Sequence, residues 1–329
     1  MAVDLPHHRI IEKLGVGAQS RVFRAKDIRS GQDVTIKIVK IVKPEDASYV
    51  ELLKTEHVIG TAIHHPVIRR VFELRFLRQR FRVTGAILFL EYVNGTALSE
   101  REPTRSLDEI LRVFTDTAQG LHAMHRAGFV HADLKPNNIM ITAEGVVKLI
   151  DLGQSARIHE AKNKVQGTID YMAPEQVQRG VLDHRTDVFG LGATLHKVLT
   201  GKPIATEINQ TVSLHSQSMI GRRLSEIRET MMHDLPACVT RFIDDCCQAD
   251  PSQRIADMSA VAERLSLART IVAKQSAESP PAAALTPDPA IDADDFEPHL
   301  DDGFDPIIDA LGLAGSADDS GAHDISHSE

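Results

Sequence analysis

Hydrophobic and polar positions along this chain follow two different periods, and the change falls near residue 92. Before it, alternating and β-branched runs predict five strands at residues 9–16, 21–26, 34–41, 70–77 and 83–91. One stretch with helical character, residues 45–63, interrupts these strands. The first part of the chain therefore predicts a small β unit that carries a single helix.

Beyond residue 92 the apolar positions recur at helical spacing. Ser106 and Glu109 have the spacing of a capping box. They precede a helical stripe of apolar residues, and Gly128 marks its end. Further helices are predicted at residues 184–199, 236–248 and 256–272. A strand-rich half followed by a helical half predicts a ligand-binding cleft between them.

Charge is distributed unevenly over the 329 residues, whose net charge is −9. Residues after 274 include 14 Asp and Glu and no Lys or Arg, so the preceding part carries 37 basic and 32 acidic residues. The last part is rich in Pro, Ala, Asp and Ser, and we expect a disordered acidic tail at residues 273–329. The pattern leaves open whether this tail docks on the basic body, recruits a partner or only keeps the protein in solution.

Composition excludes several classes of protein. The 42% of apolar and 25% of charged residues are ordinary for a soluble globular chain. We find neither an apolar run of membrane-spanning length nor the pattern of a signal peptide. The three cysteines, of which Cys246 and Cys247 are neighbours, do not suit a disulfide framework and predict a cytoplasmic protein. The charge pattern gives no sign of a nucleic-acid partner.

The first candidate motifs lie among the predicted strands. Gly15 and Gly17 stand between two of them, where glycines let the backbone turn closely over phosphates; an ordinary hairpin is the alternative. Lys37 lies in an apolar strand, and a buried lysine requires a carboxylate partner. Glu56 or Glu51 could supply it from the predicted helix, unless Lys37 is a surface lysine.

The strongest local motif follows the first long helix. It places Asp133, Lys135 and Asn138 within eight residues, which combines an acid that can orient a hydroxyl group, a cation for a phosphoryl group and an amide ligand for a metal. Asp151 ends the next apolar strand, a suitable position for a hard oxygen ligand of Mg²⁺. Each piece taken alone is equally consistent with a solvated turn.

In their order along the chain, these motifs and the segment Ala173-Pro174-Glu175 resemble the signature of the protein kinases over residues 9–272. The sequence looks most like bacterial serine/threonine kinases of the eukaryotic, or Hanks, type. The resemblance implies an α+β, two-lobed fold. A small antiparallel β lobe with one helix would occupy residues 9–91, after an N-terminal extension at 1–8. A larger, mostly α-helical lobe would occupy residues 92–272.

The resemblance also assigns roles to individual residues. It implies that Asp133 is the catalytic base, that Lys135 contacts the γ-phosphate, and that Asn138 and Asp151 ligate Mg²⁺. The residues expected to bind ATP are Gly15, Val16, Gly17, Val22, Thr35, Lys37, Glu56, Glu91, Val93 and Met140. Leu90 would be the gatekeeper, Glu175 would pair with Arg254, and Asp187 would brace the catalytic loop.

Four positions depart from the kinase pattern. Ser20 and Thr35 imply small effects on nucleotide binding. Ala132 replaces the arginine that receives an activation-loop phosphate, and residues 154–166 contain one hydroxyl residue, Ser155. We therefore expect activity without loop phosphorylation. Gly60 replaces an apolar residue one turn after Glu56, and we expect it to leave a gap that loosens the helix.

Together these residues imply an ATP-dependent enzyme that transfers the γ-phosphoryl group of MgATP to serine and threonine hydroxyls of proteins. The alternative is a nucleotide-binding pseudokinase with little turnover, suggested by Ala132, Gly60 and Thr35. A basic stretch is expected to form a solvated face or a dock for the acidic tail; it comprises Arg69, Arg70, Arg75, Arg78, Arg80 and Arg82.

Overall fold

The computed structural model describes residues 5–17, 19–100, 106–162, 165, 167–204 and 235–278. All of these residues belong to one of the two units into which backbone contacts divide the chain. The predicted acidic tail beyond residue 278 lies outside the described residues.

A five-stranded antiparallel sheet forms the first lobe, with spatial order β1-β2-β3-β5-β4. Its strands are β1 (His8–Val16), β2 (Ser20–Asp27), β3 (Asp33–Lys40), β4 (Val71–Gln79) and β5 (Arg82–Glu91). Side chains alternate between the two faces of each strand. One face packs on helix α1 (Ala47–Ala62) through Val39, Leu88 and Leu90, and the other face has its own apolar cluster around Ile36 and Phe89.

The second lobe is built around helix α2, whose apolar stripe is buried as its spacing predicts. The helices of this lobe are α2 (Leu107–Arg126), α3 (Pro174–Val177), α4 (His184–Thr200), α5 (Ala237–Cys246) and α6 (Met258–Glu278). Its short strands are β6 (Gly95–Ala97), β7 (Phe129–Val130), β8 (Ile139–Thr142), β9 (Val147–Leu149) and β10 (Ala156–Arg157). The side chain of Ser106 accepts a hydrogen bond from the backbone N–H of Glu109 at 3.2 Å, which satisfies an otherwise open donor at the start of α2.

The structure confirms the predicted fold class, a β lobe with one helix followed by a helical lobe. Most predicted element ends lie within two residues of the observed ends. One boundary is wrong: α6 continues to Glu278, so residues 273–278 are helical and not part of a disordered tail. No helix-breaking Gly or Pro occurs between Val272 and Pro280, so nothing in this stretch ends the helix earlier.

Cys238, Cys246 and Cys247 are free thiols, as expected. Burial raises the pKa of the Cys246 thiol well above its ordinary value, so this cysteine stays protonated and packs as a small apolar side chain. Within the ranges that the structure describes, the helices lack the length and apolar character needed to cross a bilayer.

Candidate active site

Lys37 on β3 joins the two lobes through a pair of carboxylates. Its Nζ atom lies 2.9 Å from Glu56 Oε2 on α1 and 2.9 Å from Asp151 Oδ1 after β9. Of the two candidate partners on α1, Glu56 is the one that contacts Lys37. Glu51 instead pairs with the exposed Lys54 at 2.6 Å. The first sheet is thereby tied to the segment that carries the candidate metal ligand.

The charges of this group reinforce one another. Burial by itself would lower the pKa of Lys37, but the carboxylates of Glu56 and Asp151 raise it above its ordinary value. Burial by itself would raise the pKa of Asp151. The charge and hydrogen bond of Lys37, with the more distant charges of Arg69 and His131, lower it to about 2. Asp151 is therefore ionised at neutral pH, the state that a cation requires.

Arg69 is a second cation on Glu56, and the sequence did not reveal it. Arg69 Nη2 donates to Glu56 Oε1 at 2.8 Å, and the Arg69 side chain is only 10% exposed. The prediction that Arg69 belongs to a solvated basic face is therefore wrong. The signal that could have found it is its position directly after the apolar pair Val67-Ile68, at the start of a segment that packs inward.

The sheet register groups several of the residues expected to bind ATP. Val22 lies opposite Gly15 on one side and Lys37 on the other, and Thr35 lies opposite Leu90. Directly opposed residues point to the same face of a sheet, as do residues two apart on one strand. The side chains of Val22, Thr35 and Lys37 therefore share the face that packs toward α1.

The remaining expected ATP contacts lie where the two lobes join. Glu91 ends β5, and its carboxylate accepts from the backbone N–H of Arg70 at 2.9 Å and pairs with Lys148 at 2.8 Å. Val93 follows β5, and the half-buried Met140 lies in β8 opposite Lys148 of β9. Val16 is 65% exposed near the end of β1, next to Gly17.

Asp133 is nearly buried and receives hydrogen bonds on both carboxylate oxygens. Its Oδ1 accepts from the backbone N–H of Thr168 at 3.0 Å and from the Thr168 hydroxyl at 3.1 Å. Its Oδ2 lies 3.0 Å from Lys135 Nζ and 3.4 Å from Asn138 Nδ2. Lys135 Nζ also donates to Thr168 Oγ1 at 2.8 Å. Thr168 was not among the predicted site residues, yet it fixes the carboxylate with two donors.

Asn138 and Asp151 are joined through one backbone hydrogen bond, from Ile150 N to Asn138 O at 2.9 Å. The Asn138 amide nitrogen donates to Asp133 O at 2.8 Å, which leaves its amide oxygen for a cation. Among the described residues, no group of three or more His, Cys, Asp or Glu could enclose a metal. One carboxylate and one amide fit Mg²⁺, which commonly binds through few protein oxygens and completes its shell with phosphates and water.

Asp187 supports the loop that carries Asp133 from inside the second lobe. Its carboxylate accepts from the backbone N–H of His131 and of Ala132 at 2.8 Å each, and it lies 2.7 Å from His125 Nε2. The side chain is 1% exposed. Ala132 has a positive φ of 61°, a strained conformation for a residue with a side chain, and Asp187 holds it there.

Gln176 connects this loop to the segment after Ala173. Its Nε2 donates to Ala132 O at 2.8 Å, while its Oε1 accepts from Ala173 N at 3.0 Å. The neighbouring Glu175 forms a two-pronged pair with the guanidinium of Arg254, at 2.7 and 2.8 Å. The Gln176 contact fixes the 173–176 segment relative to Ala132, and the Glu175 pair fixes it to Arg254, between α5 and α6. Glu175 also accepts from the hydroxyl of Thr186 on α4 at 3.0 Å.

Ala132 and the segment after Asp151 meet through apolar packing and backbone bonds. Ala132 packs with Val130, Ala156 and Leu182 in a buried cluster. Strand β10 pairs with β7, and His159 N donates to Leu182 O at 2.8 Å. Lys162 Nζ donates to the carbonyl of Gln154. Ser155 is 5% exposed, and its hydroxyl has no hydrogen-bond partner in the described parts of the chain.

The expected gap at Gly60 does not exist. A Cβ atom built on Gly60 would overlap Val71 Cγ2 and would lie 3.7 Å from Leu152 Cδ1. Val71 of β4 therefore fills the space that an apolar residue of α1 would take. The predicted gap was wrong because sequence spacing could not show that a neighbouring strand supplies the missing side chain. The loosened helix inferred from that gap therefore loses its structural support.

Replacing Gly60 with Ala tests this packing. Ala has the higher helix propensity by about 1 kcal/mol, but overpacking against Val71 costs about 1–3 kcal/mol. We expect a net loss of unfolding free energy in chemical denaturation. The double variant Gly60→Ala/Val71→Ala should be more stable than the sum of the single changes predicts. Stabilisation by Gly60→Ala alone would show that Val71 does not occupy this space.

The sequence matches the family description "Protein kinase domain" over residues 8–265. This chain therefore belongs to the protein kinase family. It is 33% identical over 203 residues to the serine/threonine-protein kinase PknB of Mycobacterium tuberculosis, which covers 58% of this chain and 32% of that protein. The PknB of Mycobacterium leprae is 32% identical over 198 residues, with the same coverage.

A second relative matches over a longer stretch. The serine/threonine-protein kinase PknA of Mycobacterium bovis is 28% identical over 290 residues, which covers 86% of this chain and 64% of that protein. The chain spans about a third of the PknB proteins and less than two thirds of PknA.

Proposed function

We propose that this chain is a serine/threonine protein kinase that transfers the γ-phosphoryl group of MgATP to protein hydroxyls. One observation carries the proposal: Lys37, Glu56 and Asp151, which are far apart in sequence, lie within hydrogen-bond distance of one another through Lys37. The backbone bond from Ile150 to Asn138 joins this group to the loop that holds Asp133. The family and the names of the relatives support the same function.

The chemistry follows from the contacts. ATP supplies the phosphoryl group and Mg²⁺ neutralises its charge, with Asn138 and Asp151 as the protein ligands. Lys37 would hold the α- and β-phosphates. Asp133 would orient the acceptor hydroxyl and take its proton, and Lys135, 3.0 Å from it, would neutralise charge on the transferred group.

Thr168 supports serine and threonine as acceptors. Its hydroxyl contacts both Asp133 and Lys135, so the wall of the acceptor site lies close to the catalytic carboxylate. A short serine or threonine side chain would reach Asp133 in this arrangement. The protein substrates themselves are not specified by these contacts.

The test uses the full chain with γ-labelled ATP, a generic basic protein substrate and phosphosite mass spectrometry. We expect transfer to Ser and Thr that requires Mg²⁺ and is lost in Asp151→Asn. Asp245→Asn is the matched control, because Asp245 forms an exposed ion pair with Arg264. Nucleotide binding without transfer by the wild type would instead support the pseudokinase alternative.

We further propose that activity does not depend on phosphorylation of residues 154–166. Ala132 provides no cation for a phosphate, and Ala156 and Arg157 are already held by strand pairing with β7 and by the apolar cluster. Ser155, the one hydroxyl residue there, is buried. Protein freed of phosphate by phosphatase should match the untreated protein in kcat/KM within about twofold. A difference of threefold or more, which corresponds to about 0.7 kcal/mol in transition-state stabilisation, would count against the proposal. Strong activation by phosphorylation within this segment would contradict the proposal.

Docking of the acidic residues 279–329 on the basic body stays a prediction from the charge pattern. A chain ending at Glu278 should then show a weaker salt dependence of kcat/KM than the full chain. Equal salt dependence of the two proteins would contradict docking. The cytoplasmic location likewise stays a prediction from the cysteine pattern.

A further inference from the structure

Four buried or partly buried side chains form a row of alternating charge, with Arg69, Glu56 and Lys37 in the first lobe and Asp151 in the second. Arg69 contacts Glu56, Glu56 contacts Lys37, and Lys37 contacts Asp151. Each oxygen of Glu56 has its own cation: Oε1 accepts from Arg69 at 2.8 Å and Oε2 from Lys37 at 2.9 Å. The Glu56 side chain is 1% exposed, so it has little access to water as an alternative partner.

The backbone of Arg69 is fixed to the strand that leads to Asp151. Arg69 N donates to Leu149 O at 3.0 Å, and Leu149 N donates to Val67 O at 2.6 Å. Ile68 and Leu149 form an isolated parallel bridge between these two hydrogen bonds. Arg69 therefore connects helix α1, through its side chain, to strand β9, through its main chain.

Lys37 and Arg69 differ in whether a bound nucleotide would compete for their contact with Glu56. In the proposed function Lys37 must also bind phosphates, so the nucleotide competes with Glu56 and Asp151 for its three donors. Arg69 has no such second task in these contacts, and its guanidinium presents donors in a rigid plane. Glu56 therefore keeps a partner when Lys37 engages a nucleotide.

Removing Arg69 would also unbalance the buried charge. Without Arg69, the 1% exposed Glu56 would have to share Lys37 with Asp151. Without Lys37, Glu56 would keep Arg69, and the carboxylate left unpaired would be that of Asp151, which is 43% exposed and can be hydrated. An uncompensated buried charge is strongly destabilising, and the simplest relief is movement of Glu56, with α1, toward water.

We propose that Arg69 is a positioning residue that holds Glu56 and helix α1 in the catalytically competent arrangement independently of Lys37. This inference rests on the proposed kinase function for its catalytic consequence. Its structural part concerns only the helix and is measured without turnover.

Amide hydrogen exchange of residues 47–62 tests the structural part in the nucleotide-free protein. We expect Lys37→Met to change exchange by less than about threefold, whereas Arg69→Met should accelerate it at least about tenfold, since exchange reports local opening. Arg69→Gln, which keeps N–H donors but loses the charge, serves if Arg69→Met does not fold. Equal exchange in the wild type and the folded Arg69 variant would overturn the proposal, as would the full effect in Lys37→Met.

Steady-state kinetics tests the catalytic part. Arg69→Met should lower kcat about tenfold with a smaller change in KM for ATP, and Arg69→Lys should restore part of kcat. The control is Arg70→Met, because Arg70 is the exposed neighbour and its guanidinium lies over the ring of Phe72. An equal loss of kcat in Arg70→Met would show that the effect comes from the loss of a positive charge in this region and not from the contact between Arg69 and Glu56. If the wild type shows no turnover, the proposed function fails, while hydrogen exchange still decides the role of Arg69.

Discussion

Replacing Asp133 with Asn is expected to lower kcat by about a thousandfold, within the range for loss of a catalytic base. The amide cannot accept the proton of the acceptor hydroxyl at neutral pH. Nucleotide affinity should change little, because Lys37, Asn138 and Asp151 are retained. Single-turnover transfer from labelled ATP and equilibrium nucleotide binding, measured on the same preparation, separate the two effects.

The same substitution should cost a small amount of stability for a specific reason. Four donors converge on the two oxygens of Asp133, from Thr168, Lys135 and Asn138. The NH₂ group of an Asn at this position must face one of these sets of donors and cannot accept from it. The lost hydrogen bonds should lower the unfolding free energy by about 1 kcal/mol. Asp245→Asn is the control for charge removal at an exposed site. Near-normal kcat in Asp133→Asn would remove Asp133 from the role of base.

Replacing Asp187 with Ala is expected to lower the unfolding free energy by about 3–5 kcal/mol, the usual cost of breaking a buried charged pair. Two buried backbone N–H groups, of His131 and Ala132, would lose their acceptor, and His125 would lose its partner. Asp187→Asn keeps one oxygen and should fall between the wild type and Asp187→Ala. Denaturation in urea measures the order, and Asp245→Ala, which breaks an exposed pair, should cost at most about 1 kcal/mol.

The pH dependence of stability gives an independent check on Asp187. Burial by itself would raise its pKa, but the hydrogen bond and charge of His125, the charge of His131 and the bond from Ala132 N lower it below the ordinary 3.8. A carboxylate with a lowered pKa stabilises the fold above its unfolded-state pKa, and this contribution is lost as the pH falls through the lower folded-state pKa. The wild type should therefore lose more stability than Asp187→Asn below about pH 4. Parallel curves for the two proteins would contradict this account.

Much of the fold could be predicted because buried apolar residues recur at the spacing of a strand or of a helix. The strands of the first lobe have β-branched and alternating residues, and α2 has a clear apolar stripe after a capping serine. The end of α6 could not be placed, since residues 273–278 have neither a breaker nor enough apolar residues to show helical spacing.

The candidate site also contains residues that could be predicted from local sequence and residues that could not. Asp133, Asn138 and Asp151 lie in short motifs whose residue types the proposed chemistry requires, so local sequence was sufficient to propose them as site residues. Arg69 and Gly60 take their meaning from partners on other elements, Glu56 and Val71. The type of residue does not tell a buried arginine from a surface one, and only the position of Arg69 after Val67-Ile68 indicated that it lies inside. A glycine does not show which side chain fills the space beside it.

The pairing of β10 with β7 and the enclosed hydroxyl of Ser155 bear on how a cell would adjust this protein. A regulatory switch that works by phosphorylation needs an exposed hydroxyl residue and a cationic side chain that binds the added phosphate. Under the proposed absence of phosphorylation control at residues 154–166, this segment would not act as a covalent switch. Fast adjustment of the activity would then have to come from the supply of nucleotide or from contacts made elsewhere on the chain.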